Sequence, residues 1–206
     1  MYLSRLKPNW RSAQAIKELG DPYQLHRTLA RAFGDDLPKA RLMFRVDTDD
    51  DRPVIVVQSQ TEPDWSSLPA DYARHEHKAI TLDLVAGQML RFRLAARPTK
   101  RDKATGKRVT LRTDDEAIEW LRRKGTDAGF SIVSCQVGDH RWQDTRQPET
   151  DADTRDRGKS RAVRYVQFDG VLVVTDPDKL REAVRNGIGP QKAFGFGLLS
   201  LAPLRE

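Results

Sequence analysis

Within the stretch GDPYQLHRTLARAFG, residues 20–34, four side chains stand at spacings suited to proton transfer beside a phosphate: Tyr23, His26, Arg27 and Arg31. On a helix, Tyr23 and His26 are three apart and therefore neighbours, while Arg27 and Arg31, four apart, form a basic ridge beside them. An imidazole with an ordinary pKa of about 6.5 exchanges protons near neutrality, and fixed cations hold the negative charge that builds on phosphorane oxygens. This set suits cleavage of RNA by its own 2′-hydroxyl, in which the substrate supplies the nucleophile and no metal is required. DNA lacks that hydroxyl and is not cut by such chemistry. From the helix alone a plainer reading stands beside this one: a boundary histidine at the rim of an apolar face, making one hydrogen bond.

The other titratable groups point less clearly to chemistry. His75 and His77 flank Glu76 in HEH, two apart on one face of a strand and without a third ligand, and His140 beside Arg141 and Trp142 reads as a strand-end surface residue. Cys135 is the single cysteine and cannot make an internal disulfide, so neither a disulfide framework nor a structural zinc pattern is expected.

These residues must be held by a fold, and 206 residues accommodate one large domain or two of roughly 100. Hydrophobic residues make up 38% and charged residues 32%, no apolar run approaches the roughly 18 residues of a spanning helix, and MYLSRLKPNW has no signal-peptide core. The expectation is a globular cytoplasmic protein without a membrane partner. MYLSRLK alternates as a strand. A helix follows over 20–34, with Asp21 as N-cap, Pro22 at its first position and Leu25, Leu29, Ala32 and Phe33 as its core stripe. RLMFRVD (41–47) and PVIVVQSQ (53–60) form a hairpin, TEPDWSSLPADYARHEH is irregular, and HKAITLDLV (77–85) is a further strand.

A second round begins at GQMLRFRLAARP (87–98). It continues through the helix DDEAIEWLRRKGTDAG, capped by Thr113 or Asp114 with Ile118, Trp120 and Leu121 as its apolar stripe. Strands SIVSCQV and AVRYVQFDGVLVVTD, the helix PDKLREAVRNG closing on Gly187, and KAFGFGLLSLAPL complete it. Strand, helix, strand, strand, helix, strand occurs twice, with a degenerate second helix in the first copy. The fold class is α+β: two tandem ferredoxin-like (RRM-like) βαββαβ domains, 1–86 and 87–206.

The formal charge of +6 favours a polyanionic partner, and its distribution says more than its size. Between Arg97 and Arg112 seven basic residues, among them Lys100, Arg101, Lys103, Lys107 and Arg108, face a single acid, Asp102. Residues 143–161 are too polar to pack and too long for a hairpin turn. From Arg155 onward Arg155, Arg157, Lys159, Arg161 and Arg164 meet only Asp156, which reads either as a solvated loop or as an arm that orders on an anion. In GIGPQKAFGFGLLSLA (187–202) glycines 187, 189, 195 and 197 let backbone N–H groups approach phosphate. No P-loop or dinucleotide fingerprint is present, so no nucleotide cofactor is expected. KAFGFGLL also resembles the aromatic strand of RNA-recognition modules, although Phe194 and Phe196 fit a core equally well.

The MYLSRL start, the helix with Tyr23 and His26, GQMLRFRLAARPTKR…GKRV and GIGPQKAFGFGLLSL together resemble the CasE family, the repeat-specific endoribonucleases of type I-E CRISPR systems. The resemblance spans nearly the whole chain. It implies metal-independent, cofactor-free cleavage of precursor CRISPR RNA at the 3′ base of the repeat hairpin, leaving a 2′,3′-cyclic phosphate and a 5′-hydroxyl. It further implies that His26 transfers the proton and Tyr23 assists. Arg31 stands where relatives carry a lysine, and arginine cannot deprotonate, so its implied role is charge stabilisation. The basic hairpin and the glycine-rich loop (Gly187, Gly189, Lys192), with Arg27 and the arm, would hold the RNA stem, and the product crRNA would stay bound alongside other Cascade subunits. The alternative is a non-catalytic subunit that grips an RNA hairpin with the same surfaces.

Overall fold

The computed structural model describes residues 1–138, 141–144 and 162–204. Strand β1 (Tyr2–Pro8) buries Ser4, Leu6 and Pro8 on one face. Helices α1 (Ala13–Leu19), α2 (Pro22–Ala30) and α3 (Leu37–Ala40) lead to β2 (Met43–Asp49) and β3 (Arg52–Ser59), and β4 (Ala73–Ala79) closes a sheet of order β2-β3-β1-β4. The second half repeats the pattern with β5 (Met89–Ala96), a small hairpin of β6 (Thr99–Arg101) and β7 (Arg108–Thr110), α4 (Asp114–Asp127) and β8 (Phe130–Val137). It ends with β9 (Arg141–Asp144), β10 (Ala162–Val174), α5 (Pro177–Asn186) and β11 (Leu199–Pro203). Its sheet runs β11-β5-β10-β8, with β9 paired to β10 off that path. In both sheets the first strand lies between the third and fourth and all neighbours are antiparallel, the ferredoxin-like order.

The caps sit where the sequence puts them. The Asp21 carboxylate accepts the Gln24 N–H at 3.1 Å, Thr113 and Glu116 form a capping box on α4, and α5 stops at Gly187. Ala117, Trp120, Leu121 and Gly125 are buried on α4, while Ile118 is only partly covered.

Four expectations need correction. The helix expected over 20–34 is α-helical only to Ala30, then tightens into a 3₁₀ turn to Asp36 around Gly34, whose φ is +46°. Helix α1 was not expected at all. The strand expected at 77–85 is β4 at 73–79, because the carbonyls of Leu82 and Leu84 accept from the Arg181 guanidinium on α5, each at 3.0 Å, instead of from a neighbouring strand. Leu82 and Leu84 pack on the second core, so their alternation reflects docking and not pairing. Finally, KAFGFG is a 3₁₀ turn (Lys192–Phe194) and loop ahead of β11.

Each half has its own hydrophobic cluster, one around Leu6, Leu25, Phe44 and Tyr72, the other around Leu94, Trp120, Phe168 and Leu180. They are joined by polar contacts from the edge strand β2 and its neighbour β3. Arg45 grips Asp47 with two bonds of 2.7 and 2.8 Å and donates from Nη1 to the carbonyls of Leu198 at 3.1 Å and Arg93 at 3.3 Å. Gln58 donates to Val184 O on α5 at 2.7 Å, and Arg41 donates to Asn186. The side chains of Arg45 and Asp47 are only 5% and 13% exposed, so removing either strands a buried charge.

Arg45→Ala is therefore expected to lower unfolding free energy by about 3–5 kcal/mol in urea titration. Lys39→Ala, which breaks a solvent-exposed pair with Asp36, should change it by less than about 1 kcal/mol.

Candidate RNA-cleavage site at the seam of the two halves

Helix α2 is held from beneath by a buried carboxylate. Glu18, 7% exposed, accepts Gln14 Nε2 and Thr28 Oγ1, both at 2.9 Å, through Oε1 and the Tyr72 hydroxyl at 2.6 Å through Oε2. Burial first, and the Glu18 bond and charge second, push the Tyr72 hydroxyl far above its usual range, so it remains a donor. With Pro22, Leu25, Thr28 and Leu29 turned inward, His26 comes to the rim of the helix.

The His26 imidazole is partly buried and faces the Phe44 ring, with centroids 6.3 Å apart and planes at 56°. Burial depresses its pKa below the ordinary 6.5, so the resting ring is neutral at neutral pH and its unprotonated nitrogen is ready to accept a proton. Tyr23 lies beside it on the partly exposed side, and the Arg27 guanidinium sits 6.0 Å from the centre of the Tyr23 ring. Arg31 is exposed at the start of the 3₁₀ turn, and its charge acts on the Tyr72 hydroxyl on the Glu18 side of the helix. Arg27 is thus the cation drawn to Tyr23, and Arg31 stands further round.

The glycine-rich segment wraps the edge of β2. A β-carbon at Gly187 (φ +71°) would meet Met43 Sδ at 2.5 Å and Gly197 O at 2.9 Å. At Gly195 (φ +85°) it would meet Phe44 Cε2 at 3.1 Å. Met43 and Phe44 point to opposite faces of the strand, so the segment touches both, and side chains at these two glycines would push it off. Gly189 faces the Trp120 ring, and the Lys192 stem crosses Gly187 and Gly197. Sequence reading took Gly187 for a phosphate cradle; its immediate neighbour in the structure is Met43. Phe196 is buried and packs tilted at 42° against Tyr165, with centroids 4.9 Å apart, and both it and Phe194 line the seam.

Between the halves lies a cleft of about 430 Å³, lined by Pro22, Arg45, Asp47, Arg93, Gln167 and Phe196 among others. Neither this cleft nor a larger groove of about 750 Å³ around Trp10, Arg11 and Arg52 has a histidine among the described residues of its walls; Phe44, which the His26 ring faces, lines the smaller one. His75 faces Trp65 and His77 bonds Glu62 at 3.2 Å. The thiol of Cys135 is pushed up to about 11 by burial and is no nucleophile at neutral pH.

On the β6–β7 hairpin, Lys100, Arg101, Lys103, Lys107 and Arg108 are all exposed. The segment's one acid is spent on shaping the turn: Asp102 accepts Thr105 N–H at 2.7 Å and its hydroxyl at 2.8 Å, which holds its pKa below the usual carboxylate value. Lys100 pairs with Glu116 of α4 at 3.1 Å, so the hairpin leans on α4 and its cations face solvent. Arg155, Arg157, Lys159 and Arg161, with His140, lie outside the described residues. The structure therefore brings Tyr23, His26, Arg27 and the turn at Lys192 to one seam. Sequence reading missed Glu18, Phe44, Arg45 and Asp47; only the last two left a trace, as opposite charges two apart on a strand.

The family model for "CRISPR associated protein" matches residues 1–203. The chain is 41% identical over 213 residues to the CRISPR-associated endoribonuclease Cse3 of Thermus thermophilus, covering 98% of this chain and 100% of the relative. It is 32% identical to the CRISPR system Cascade subunit CasE of Escherichia coli over 89% of this chain and 93% of the relative. Among solved structures, CRISPR endoribonuclease Cse3 bound to 19 nt RNA superposes with a TM-score of 0.91 at 39% identity, over 98% of this chain and 100% of that one. Thermus thermophilus Cse3 bound to an RNA representing a pre-cleavage complex gives 0.87 at 38%, over 98% of each chain.

In the free protein, an NMR titration of His26 should give a midpoint below 6.5, and one at or above 6.5 contradicts the burial argument. Because the folded pKa lies below the unfolded one, the stability contributed by the neutral ring is complete above pH 6.5 and lost as pH falls toward the folded pKa.

Proposed function

The chain belongs to the CRISPR-associated protein family, and from that premise we propose that it is a metal-independent endoribonuclease that cuts precursor CRISPR RNA at the 3′ base of the repeat hairpin. The mature crRNA stays bound, and the protein serves as a subunit of a Cascade complex in the cytoplasm. The observation that carries this reading is the neutral, rim-held imidazole of His26 at the seam between the halves, in a chain 41% identical to an endoribonuclease.

His26 takes the proton from the 2′-hydroxyl at the cut. The 2′-oxygen attacks phosphorus, the P–O5′ bond breaks, the leaving 5′-oxygen takes a proton from solvent and the imidazolium returns its own to solvent, giving a 2′,3′-cyclic phosphate and a 5′-hydroxyl. The depressed pKa favours the base role at the first step, since the ring begins unprotonated. Tyr23, adjacent on the same helix, assists, and Arg27 and Arg31 stabilise the phosphorane charge without exchanging protons.

The stem is held apart from the chemistry. A-form RNA hides its base edges in a deep, narrow groove, so a stem is gripped through phosphates by shape and charge. The exposed hairpin cations supply that charge, the turn at Gly187, Gly189 and Lys192 lies beside the cut, and the arm with Arg155, Arg157, Lys159 and Arg161 enters the groove at the foot of the stem. The two halves are assigned as 1–86, carrying the catalytic helix, and 87–206, carrying the RNA-binding loops. The two separate cores support a division into two halves, while Leu82 and Leu84, within 1–86, pack on the second core.

Purified protein should cleave a repeat hairpin in EDTA and leave intact a copy with 2′-deoxyribose before the cut. His26→Ala should slow single-turnover cleavage by about 10²–10⁴-fold while hairpin binding persists. Cleavage that needs magnesium, or that survives the deoxy substitution, contradicts the mechanism. Lys103→Ala with Lys107→Ala should weaken binding and flatten its dependence on log salt concentration, leaving the position of the cut unchanged.

A further inference from the structure

Phe44 is 1% exposed at the second position of β2, and its ring meets two groups of different kinds. One is the His26 imidazole, at 6.3 Å between centroids and 56° between planes. The other is the backbone at Gly195, in the loop contributed by the second half, where a β-carbon would stand 3.1 Å from Cε2 and 3.5 Å from Cζ. Gly195 is left-handed at φ +85° and accepts that conformation at little cost because it has no side chain.

The ring's place is fixed from the strand as well. Met43 and Arg45 point to the other face of β2, where Met43 is packed on Gly187 and Arg45 donates to Leu198 O. The loop thus grips β2 at three consecutive residues, and the middle one carries the grip through the strand to the imidazole. Phe44 belongs to the first core, and its ring also reaches a partly buried titratable imidazole.

We propose that Phe44 is a positioning residue for His26, setting the tilt of the imidazole and keeping water from that face of it, and that residue 195 is glycine so that the loop can close on the Phe44 ring. This rests on His26 as the proton-transfer residue. The charged groups on the elements packed here are Asp21, Arg27 and Arg31 on or beside α2, Arg45, Asp47 and Asp49 on β2, the last paired with Arg5 and Lys7 of β1, and Lys192 in the turn. Asp21 caps the helix N-terminus, Arg45 and Asp47 are bound to each other on the far face, and the Lys192 stem lies along Gly187 and Gly197. Burial alone accounts for the lowered basicity of His26, and Phe44 is its aromatic cover.

The test measures three things for the full chain and for His26→Ala, Phe44→Leu and Gly195→Ala: single-turnover cleavage of a repeat hairpin at saturating protein, affinity for the 2′-deoxy hairpin, and the His26 titration by NMR. Phe44→Leu and Gly195→Ala should each cut about ten-fold or more slowly while binding within about three-fold of the parent. In Phe44→Leu the His26 midpoint should move up toward 6.5. If His26→Ala is inactive but Phe44→Leu cuts at the parent rate with an unmoved midpoint, the positioning role is overturned and the proposed function stands. If His26→Ala itself cuts at the parent rate, the role assigned to His26 fails, and this inference with it. Should Phe44→Leu lose hairpin binding through misfolding, Gly195→Ala decides: slowed cleavage with retained binding supports the inference, and parent-rate cleavage overturns it.

Discussion

The buried pair of Arg45 and Asp47 is the constraint on which the site depends. Each half completes a ferredoxin-like sheet, but the helix proposed as catalytic on one and the surface proposed to hold RNA on the other are useful only in a fixed relation. Arg45 supplies that relation by spending its remaining donor on two carbonyls of the second half, Arg93 and Leu198. An ion pair this dry gives little net stability over an apolar pair of the same shape. Its value lies in geometry, since a guanidinium locked to Asp47 can reach those carbonyls in one register only.

Around that clasp the charge is divided by task. Where groups must stay put, the acids are satisfied internally: Glu18 under α2 by the neutral donors Gln14, Thr28 and Tyr72, Asp47 by Arg45, and Asp169 by Arg93. The β6–β7 hairpin is arranged the other way, its single carboxylate consumed by Thr105 and its lysines and arginines turned to water. The exposed Arg101, Lys103, Lys107 and Arg108 can meet a polyanion directly, whereas Lys100 must first leave Glu116, and the contribution of all of them falls with salt. His26, the residue proposed for the chemistry, sits apart from both, in a partly desolvated position that favours the neutral imidazole. The proposed binding and cleavage are thereby carried by different surfaces.

Most of the fold was legible because local signals agreed with the global one. Asp21-Pro22 before an apolar stripe specifies α2, Thr113 with Glu116 specifies the start of α4, and the repeated order of strands and helices specifies two sheets of one topology. Helix α1 was not legible, since its buried side is carried by Ala15 and the charged Glu18 while Ile16 faces outward. The strand expected at 77–85 was misread because Leu82 and Leu84 alternate for a reason strands do not have, a long-range arginine on α5. In the site, Tyr23, His26 and Arg27 were readable from helical spacing. Phe44 was not, because nothing local says which ring a strand residue will meet, and nothing local marks Arg45 as a residue that will donate to the carbonyls of Arg93 and Leu198.

The central claim is that His26 at this seam handles the proton of the RNA's own nucleophile. Its most direct test is a crystal structure of the chain bound to a repeat hairpin that carries 2′-deoxyribose at the cut and so cannot react. The account predicts a His26 ring nitrogen within about 3 Å of the space the 2′-oxygen would occupy, or reaching it through one water. A scissile phosphate seated away from the α2 rim, in the groove at Trp10 or along the hairpin alone, would contradict it.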